Sequence, residues 1–173
     1  MIELETERLI FRHLVPGDLD ALAAIQGDPE VMRYFPSGPR TREATGIDLA
    51  RCIAVQAEHG FSLWATVERS SGLLIGRCGL LPQRIGERQE VEIAYLIARS
   101  RWGLGLGSEA AVGLRDHGFG RLGMGRLVSI IDRDNRASRR VAEKAGLTPE
   151  RMIQFMNHRC WLYAIEASTR APG

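Results

Sequence analysis

The chain has 173 residues, of which 45% are hydrophobic and 25% are charged, and its formal net charge is +2. This length and composition are typical of one globular domain, which we expect to span residues 1–169, with a frayed tail at 170–173. The near-neutral charge gives no reason to expect a nucleic-acid-binding surface. Three widely spaced cysteines argue against a disulfide framework and against a zinc site.

The sequence shows no targeting or membrane signal. Residues 1–14 carry acidic side chains where a signal peptide needs a basic region followed by an apolar run. No stretch approaches the ~20 apolar residues of a membrane span. We therefore predict a soluble, cytoplasmic protein, and because its four histidines show no metal-ligand spacing we expect no metal.

In the first half of the chain, one strand is followed by helical segments. Apolar positions predict a strand from Arg8 to Leu14, and Asp18 is a good N-cap for the helix that comes next. The predicted helical segments are Leu19 to Gln26, a short piece from Asp28 to Phe35, and Thr41 to Glu58.

The second half alternates strands with helices. Period-two patterns predict a hairpin and then, after a polar link at 84–89, a strand from Val91 to Ala98. Helices are predicted from Ser108 to about Phe119 and from Asn135 to a capping Gly146. The other predicted strands are Phe61 to Glu68, Leu73 to Leu81, Leu127 to Ile131 and Cys160 to Ala167.

A glycine-rich loop separates the strand predicted at 91–98 from the helix that follows it. Gly103, Gly105 and Gly107 stand at alternate positions, which suits neither helix nor strand but lets a ligand approach the backbone. Such a loop points several free N–H groups at one spot and adds the positive end of the helix dipole. The sequence therefore predicts an anion site, and phosphate is the usual anion.

Short motifs along nearly the whole chain, in this order, resemble the GCN5-related N-acetyltransferase (GNAT) superfamily. The likeness is greatest to its ribosomal-protein-alanine N-acetyltransferase branch, whose W-G-K-G-Y-A-T-E-A loop is similar to Trp102–Ala110. The other matching segments are Thr6–Leu9, Asp28–Met32, Leu74–Gly76, Glu92–Tyr95, Asn135–Ser138 and Glu143–Leu147. The resemblance implies a mixed α+β fold: a twisted, mostly antiparallel sheet with helices on both faces, splayed at the acetyl-CoA site.

The resemblance also implies how acetyl-CoA is bound. Its pyrophosphate is expected on the N–H groups of the glycine loop, and its pantetheine amides on the backbone of the preceding strand, which a bulge is expected to open. Asn135 fits a helix N-cap, and by resemblance it also contacts the cofactor arm together with Ser138. The expected cofactor-binding residues are Leu96, Ile97, Ala98, Trp102, Gly103, Leu104, Gly105, Leu106, Gly107, Ser108, Asn135, Ser138 and Arg140.

Transfer of an acetyl group to an amine needs a group that takes the amine's proton. Glu92 is the candidate, because it lies on the strand beside the expected thioester; the alternative interpretation is a merely polar, solvated face. A free N–H near residues 93–95 is expected to polarise the thioester carbonyl. Many superfamily members place an acidic tyrosine where this chain has Ala142, which leaves water, Tyr163 or Ser138 to protonate the thiolate.

The sequence leaves the acceptor amine open. By resemblance, Met32, Tyr34 and Phe35 line the acceptor mouth, although a role in helix packing explains them equally well. The branch includes enzymes that act on protein N-terminal amines and relatives that act on small amines, and homodimers are common in the superfamily. We expect an amine acceptor, no nucleic-acid or membrane partner, and leave a homodimer open.

Two other functions fit parts of the sequence. A protein of this fold that binds CoA without catalysis is kept open by Ala142. A dinucleotide-binding oxidoreductase is suggested by Gly105-x-Gly107-x-x-Ala110 after a strand, with Asp132 as a ribose ligand. However, about 90 residues precede this motif and about 40 follow Asp132, which is too few to complete a doubly wound sheet.

Overall fold

The structure, a computed structural model, describes residues 1–167. These residues form an eight-stranded sheet and four α-helices. The strands are β1 (Ile2–Glu5), β2 (Leu9–Arg12), β3 (Leu63–Glu68), β4 (Leu74–Ile85), β5 (Arg88–Ile97), β6 (Arg126–Asp132), β7 (Thr148–Phe155) and β8 (His158–Glu166). The helices are α1 (Leu19–Gln26), α2 (Arg42–His59), α3 (Leu106–Gly120) and α4 (Arg136–Lys144). The predicted domain end at 169 and the predicted frayed tail lie outside the described residues.

The strands lie in the order β1-β2-β3-β4-β5-β6-β8-β7. Neighbouring strands are antiparallel throughout, except for β5 and β6, which are parallel. The predicted mixed fold with a mostly antiparallel sheet is confirmed.

Helices cover both faces of the sheet. Because successive side chains of a strand point to opposite faces, neighbours on β3 belong to different cores. Trp64 packs in the core that contains residues of α3 and α4, whereas Leu63 and Ala65 pack in the core that contains residues of α1 and α2. The sheet is thus the middle of three layers, as predicted.

Local sequence explains where α2 begins and ends. The Thr41 hydroxyl accepts the Ala44 N–H at 3.1 Å, and Gly60 ends the helix with a φ of 76°. Asp18 does not cap α1 as predicted. Its carboxylate instead accepts the Val15 N–H and pairs with Arg12 at 2.7 Å, which fastens the start of α1 to β2.

The predicted helical segment from Asp28 to Phe35 is wrong, because these residues form turns. The Asp28 carboxylate accepts the Glu30 N–H at 2.9 Å, a local bond that competes with the helical pattern. The predicted polar link at 84–89 is also wrong. β4 continues to Ile85 and turns into β5 around Gly86, which has a φ of 62°.

The strands β1 and β7 were not expected from the sequence. β1 alternates Ile2 and Leu4 with glutamates but has only four residues, too few to indicate a strand, and most residues of β7 are exposed and show no apolar alternation. Both lie at the edges of the sheet, where pairing with one neighbour, rather than side-chain burial, gives the strand its order.

The described helices and polar side chains also bear on membrane insertion and metal binding. No helix in residues 1–167 is long and apolar enough to cross a membrane. The same residues contain no group of three His, Cys, Asp or Glu side chains placed to hold a metal ion. The cytoplasmic location and the lack of a metal cofactor stay predictions.

Candidate active site

The two edges of β5 are paired very differently. Along β4, ten consecutive residue pairs join Arg88–Ile97 to Gly76–Ile85 with no shift in register. Along β6, the only pair within the described chain is Glu92 with Val128. The predicted splay is therefore present and opens after Glu92. The predicted bulge is not found between β4 and β5, because the opening comes from β5 diverging from β6.

The register shows which backbone groups of β5 face the opening. The Ala98 N–H donates to the Ile75 carbonyl on β4 at 2.7 Å. Because hydrogen bonding alternates along an antiparallel pair, residues 94 and 96 also direct their N–H and C=O groups to β4. The residues whose backbone groups point the other way, towards β6, are Ile93, Tyr95 and Ile97.

Two of these outward carbonyls already accept hydrogen bonds. The Ser129 hydroxyl donates to the Ile93 carbonyl at 2.9 Å, and the Trp102 indole N–H donates to the Ile97 carbonyl at 2.9 Å. The N–H and C=O of Tyr95 and the N–H of Ile97 have no partner in residues 1–167. Of the residues predicted for backbone contact with the cofactor, 96–98, only Ile97 directs its backbone groups to the opening, and Tyr95 does so as well.

Glu92 lies at the point where β5 and β6 part. Its Oε2 accepts the side-chain N–H of Gln83 at 2.7 Å, and its Oε1 lies 3.4 Å from the Ile130 nitrogen on β6. If the pairing of β5 with β6 continued, the Ile130 N–H would donate to a backbone carbonyl of β5. The Glu92 carboxylate takes the place of that carbonyl. Burial raises the pKa of Glu92 to about 7, and the two donors oppose this rise.

Glu90 shares a sheet face with Glu92, as predicted, but it has a different environment. Its carboxylate pairs with Arg126 at 3.1 Å, and the same guanidinium binds Glu150 at 2.7 Å and Glu166 at 2.6 Å. One arginine thus fastens β5, β6, β7 and β8 beside the end of the opening. Because Glu90 is already paired with Arg126, Glu92 is the carboxylate of β5 that could accept a proton from a substrate.

The glycine loop leads directly into α3. Gly103 and Gly105 have φ values of 77° and 79°, a left-handed conformation that favours glycine. α3 begins at Leu106, two residues earlier than predicted, so the N–H groups of Leu106, Gly107 and Ser108 belong to its unpaired first turn. No acceptor for the N–H groups of residues 103–108 is found in the described part of the chain. The predicted anion site therefore has its donors in place.

An ion pair that the sequence did not reveal holds this loop. The Arg8 guanidinium donates to the Leu104 carbonyl at 2.9 Å and to the Glu109 carboxylate at 2.7 Å. Glu109 also accepts the Thr6 hydroxyl at 2.6 Å. These partners are about 100 residues apart in sequence, so only the fold brings the first β-turn against the start of α3.

The start of α4 closes the other side of the opening. Asn135 caps this helix, as predicted, by accepting the Ser138 N–H at 3.1 Å. The Tyr95 hydroxyl donates to the Ser138 carbonyl at 2.8 Å, so β5 and α4 are tied across the opening. Arg140 is exposed, whereas Arg139 donates to the Tyr163 hydroxyl at 3.0 Å.

Comparisons with known proteins agree with this geometry. Residues 8–148 match the model of the acetyltransferase (GNAT) domain family. The chain belongs to the GNAT acetyltransferase family. The superfamily identified by resemblance is confirmed, and the protein is an acyltransferase. The oxidoreductase alternative is excluded by the family and by the mostly antiparallel sheet.

Individual known proteins match over most of the chain. YkkB of Bacillus subtilis (strain 168) is 34% identical over 156 residues, which cover 90% of each chain. The crystal structure of an acetyltransferase from Agrobacterium tumefaciens str. C58 superposes with a TM-score of 0.82 at 27% identity, covering 95% of this chain and 94% of that chain. RimL, a ribosomal L7/L12 alpha-N-protein acetyltransferase solved with coenzyme A, has a TM-score of 0.79 at 20% identity over 96% of this chain and 98% of its own, a likeness in fold alone.

Ala142, which stands where many members of the superfamily have an acidic tyrosine, is fully buried. Ala142 is 1% exposed and packs in the core between α4 and the sheet. Tyr163 is also fully buried, and its hydroxyl donates to Glu143 at 3.0 Å while it accepts from Arg139. These bonds describe a core tyrosine whose hydroxyl is satisfied. They remove Tyr163 from the groups that could protonate a thiolate.

Of the three residues predicted at the acceptor mouth, Met32 and Phe35 pack in a cluster with Leu96, which lies on the same face of β5 as Glu92. Met32 is fully buried and packs with Ile25, Val31 and Leu96, whereas Tyr34 and Phe35 are half-buried. Met32 therefore packs beneath β5 as part of the core. An open cleft of about 520 Å³ lies beside it, lined by Ala24, Ile25, Asp28, Val31, Ala98, Arg99 and Ser100.

Proposed function

We propose that this GNAT protein uses acetyl-CoA as its donor and transfers the acetyl group directly to a primary amine. The amine belongs to a protein N-terminus or to a small molecule. The observation that carries the proposal is the one-sided opening of β5, which brings free backbone groups, the glycine loop and Glu92 to one place. The complex of coenzyme A with RimL, a neighbour of the same fold, supports this choice of donor.

The residues around the opening fit acetyl-CoA. The unpaired N–H groups of residues 103–108 would hold its pyrophosphate, because they combine donors with the positive end of the α3 dipole. The free N–H and C=O groups of Tyr95 and the N–H of Ile97 would pair with the amides of its pantetheine arm, as an added strand does. The same path is bordered by Asn135, Ser138 and Arg140. The exposed side chains of Trp102 and Leu104 belong to the glycine loop itself.

Glu92 acts as the base in this proposal. A carboxyl with a pKa of about 7 is partly ionised at neutral pH and can take a proton from an ammonium group. The neutral amine attacks the thioester carbon, the C–N bond forms, the C–S bond breaks, and the thiolate leaves. The nitrogen gives its surplus proton to water, which leaves a neutral amide. Water or the Ser138 hydroxyl supplies the thiolate's proton, since Ala142 offers none and the Tyr163 hydroxyl is already bonded.

Release of free thiol from acetyl-CoA, followed against a panel of amines and peptides, tests the proposal. We expect the wild-type protein to release thiol with at least one primary amine. Glu92→Gln should keep acetyl-CoA binding but lose about a hundredfold in rate, because the amide cannot accept the proton. Glu87→Gln is the matched control, since Glu87 is exposed in the turn of the same hairpin.

The pH dependence gives the same test in another form. Because the ionised form of Glu92 is the active one, kcat/KM should rise with pH through about 7 and then level off. Full transfer by Glu92→Gln would remove Glu92 as the base. Tight binding of acetyl-CoA with no thiol release for any amine in the panel would favour the CoA-binding protein without catalysis.

A further inference from the structure

Gln83 is the polar side chain that touches Glu92 most closely. It lies on β4 two residues beyond Leu81, which pairs with Glu92, so the two side chains share a sheet face as diagonal neighbours. Its Nε2 donates to the Glu92 Oε2 at 2.7 Å, a full hydrogen bond. The only other donor to this carboxylate in residues 1–167, the Ile130 N–H, is at 3.4 Å and is therefore weak.

We propose that Gln83 is a positioning residue that holds the Glu92 carboxylate where β5 and β6 part and favours its ionised form. The proposal rests on the role of Glu92 in the proposed function. A donor hydrogen bond stabilises the carboxylate, whereas the protonated carboxyl gains less from it. Because glutamine carries no charge, it orients the base without lowering its proton affinity as far as an arginine or a lysine would.

The other titratable groups near Glu92 do not replace this contact. They are Tyr95 on the same strand and Cys160 on β8, and burial raises the pKa of both, so both are uncharged at neutral pH. Glu90, on the same face of β5, is already paired with Arg126 on β6 at 3.1 Å. Gln83 is the neighbour from β4, and Ile130 is the neighbour from β6. Glu92 forms no ion pair with any group in residues 1–167. The balance between burial and the Gln83 bond therefore sets the protonation of Glu92.

The titration of Glu92 can be followed without knowledge of the acceptor. Glutamate labelled with ¹³C at the carboxyl carbon gives one NMR signal per residue, and Glu92→Gln identifies the signal of Glu92. We expect a wild-type midpoint of about 7. Gln83→Met, of similar volume but without a donor, should raise it by about one pH unit or more, and Gln83→Lys, with a cationic donor, should lower it.

Gln89→Met is the matched control, because Gln89 is exposed on the same hairpin and makes no side-chain bond in the described residues. It should leave the midpoint unchanged. In the thiol-release assay, the pH at which kcat/KM levels off should follow the NMR midpoints in the same two directions. If Gln83 had only a structural role, the midpoints of Gln83→Met and Gln83→Lys would not move in opposite directions.

Two results would overturn the proposal: equal midpoints in wild type, Gln83→Met and Gln83→Lys, or a shift of both variants in the same direction. Failure of the proposed function has a different signature. In that case Glu92→Gln keeps full transfer, or no amine is acetylated, while the NMR midpoints still report whether Gln83 controls Glu92. Thermal unfolding of each variant confirms that the compared proteins are folded.

Discussion

The two edges of β5 show how one strand serves both stability and chemistry. The β4 edge is continuous over ten residue pairs, and its backbone groups are used up by the sheet. Within residues 1–167, the β6 edge has a single residue pair, at Glu92. Beyond it, side chains replace backbone pairing: Ser129 bonds the Ile93 carbonyl and Glu92 approaches the Ile130 N–H. The first edge fixes the strand, and the second leaves the N–H and C=O of Tyr95 and the N–H of Ile97 without a partner in residues 1–167.

The difference shows that an opening in a sheet needs its own stabilisation. A buried N–H or C=O without a partner is costly, so each group released by the end of pairing must be satisfied or used. Here Ser129, Glu92 and Trp102 each bond one of these groups, and in the proposed function a ligand pairs with the rest. Changes at the closed edge should therefore affect folding, and changes at the open edge should affect binding and transfer.

The largest effect is expected at the closed edge, from Gly76→Ala. A methyl group at Gly76 would collide with the Leu96 carbonyl and lie 3.1 Å from the Ile97 Cα, both backbone atoms of β5. We expect the free energy of unfolding in urea to fall by about 3 kcal/mol or more, because backbone cannot move aside cheaply. Gly17→Ala is the control, since nothing lies within 4 Å of its added methyl group. Equal stability of Gly76→Ala and wild type would contradict the tight pairing.

A smaller effect, on ligand binding rather than on stability, is expected from Gly107→Ala, beside the open edge. Its methyl group would lie 3.7 Å from the Val141 side chain, an ordinary contact, so the Tm should not fall. In the first turn of α3, however, the methyl group would hinder the approach of a phosphate to the N–H groups. We expect the Kd for acetyl-CoA to rise about tenfold, equivalent to about 1.4 kcal/mol, by calorimetry.

The control for this binding measurement is Gly46→Ala on α2. Its methyl group also makes an ordinary contact at 3.7 Å, with Leu19, but it lies outside the candidate site. Its Kd should equal that of the wild type. If Gly107→Ala bound acetyl-CoA as tightly as Gly46→Ala does, the result would contradict pyrophosphate binding by the glycine loop.

The smallest effect is expected from Ser129→Ala. Loss of its hydroxyl leaves the buried Ile93 carbonyl without that donor, and the free energy of unfolding should fall by about 1 kcal/mol. Ser62→Ala is the control, because the buried Ser62 hydroxyl has no partner in the described residues and its removal should not destabilise. Equal losses in the two variants would mean that the Ser129 bond does not stabilise the opening.

Much of this organisation could be predicted from local sequence. The helix at Leu19–Gln26, the cap at Asn135 and the glycine loop all depend on neighbouring residues, and each is found where the sequence places it. The segment at 28–35 was mispredicted because the Asp28 side chain bonds its own turn, a choice that helical periodicity does not reveal.

The contacts that surround Glu92 could not be predicted, because they depend on register. Which residues of β5 face β6 follows from the pairing of Ala98 with Ile75, and the Gln83 bond follows from the length of β4. The Arg8–Glu109 bond joins residues 101 positions apart. Single-sequence patterns carry no information on such pairs, so the loop's support became visible only in the fold.

Amide hydrogen exchange on β5, with and without coenzyme A, tests the central claim most directly. The N–H groups of Tyr95 and Ile97 face the opening, whereas those of Ala94 and Leu96 are bonded to β4. We expect saturating coenzyme A to slow exchange at Tyr95 and Ile97 by at least about tenfold and to leave Ala94 and Leu96 nearly unchanged. Unchanged exchange at Tyr95 and Ile97 in a protein that binds coenzyme A would show that the ligand does not use the open edge of β5.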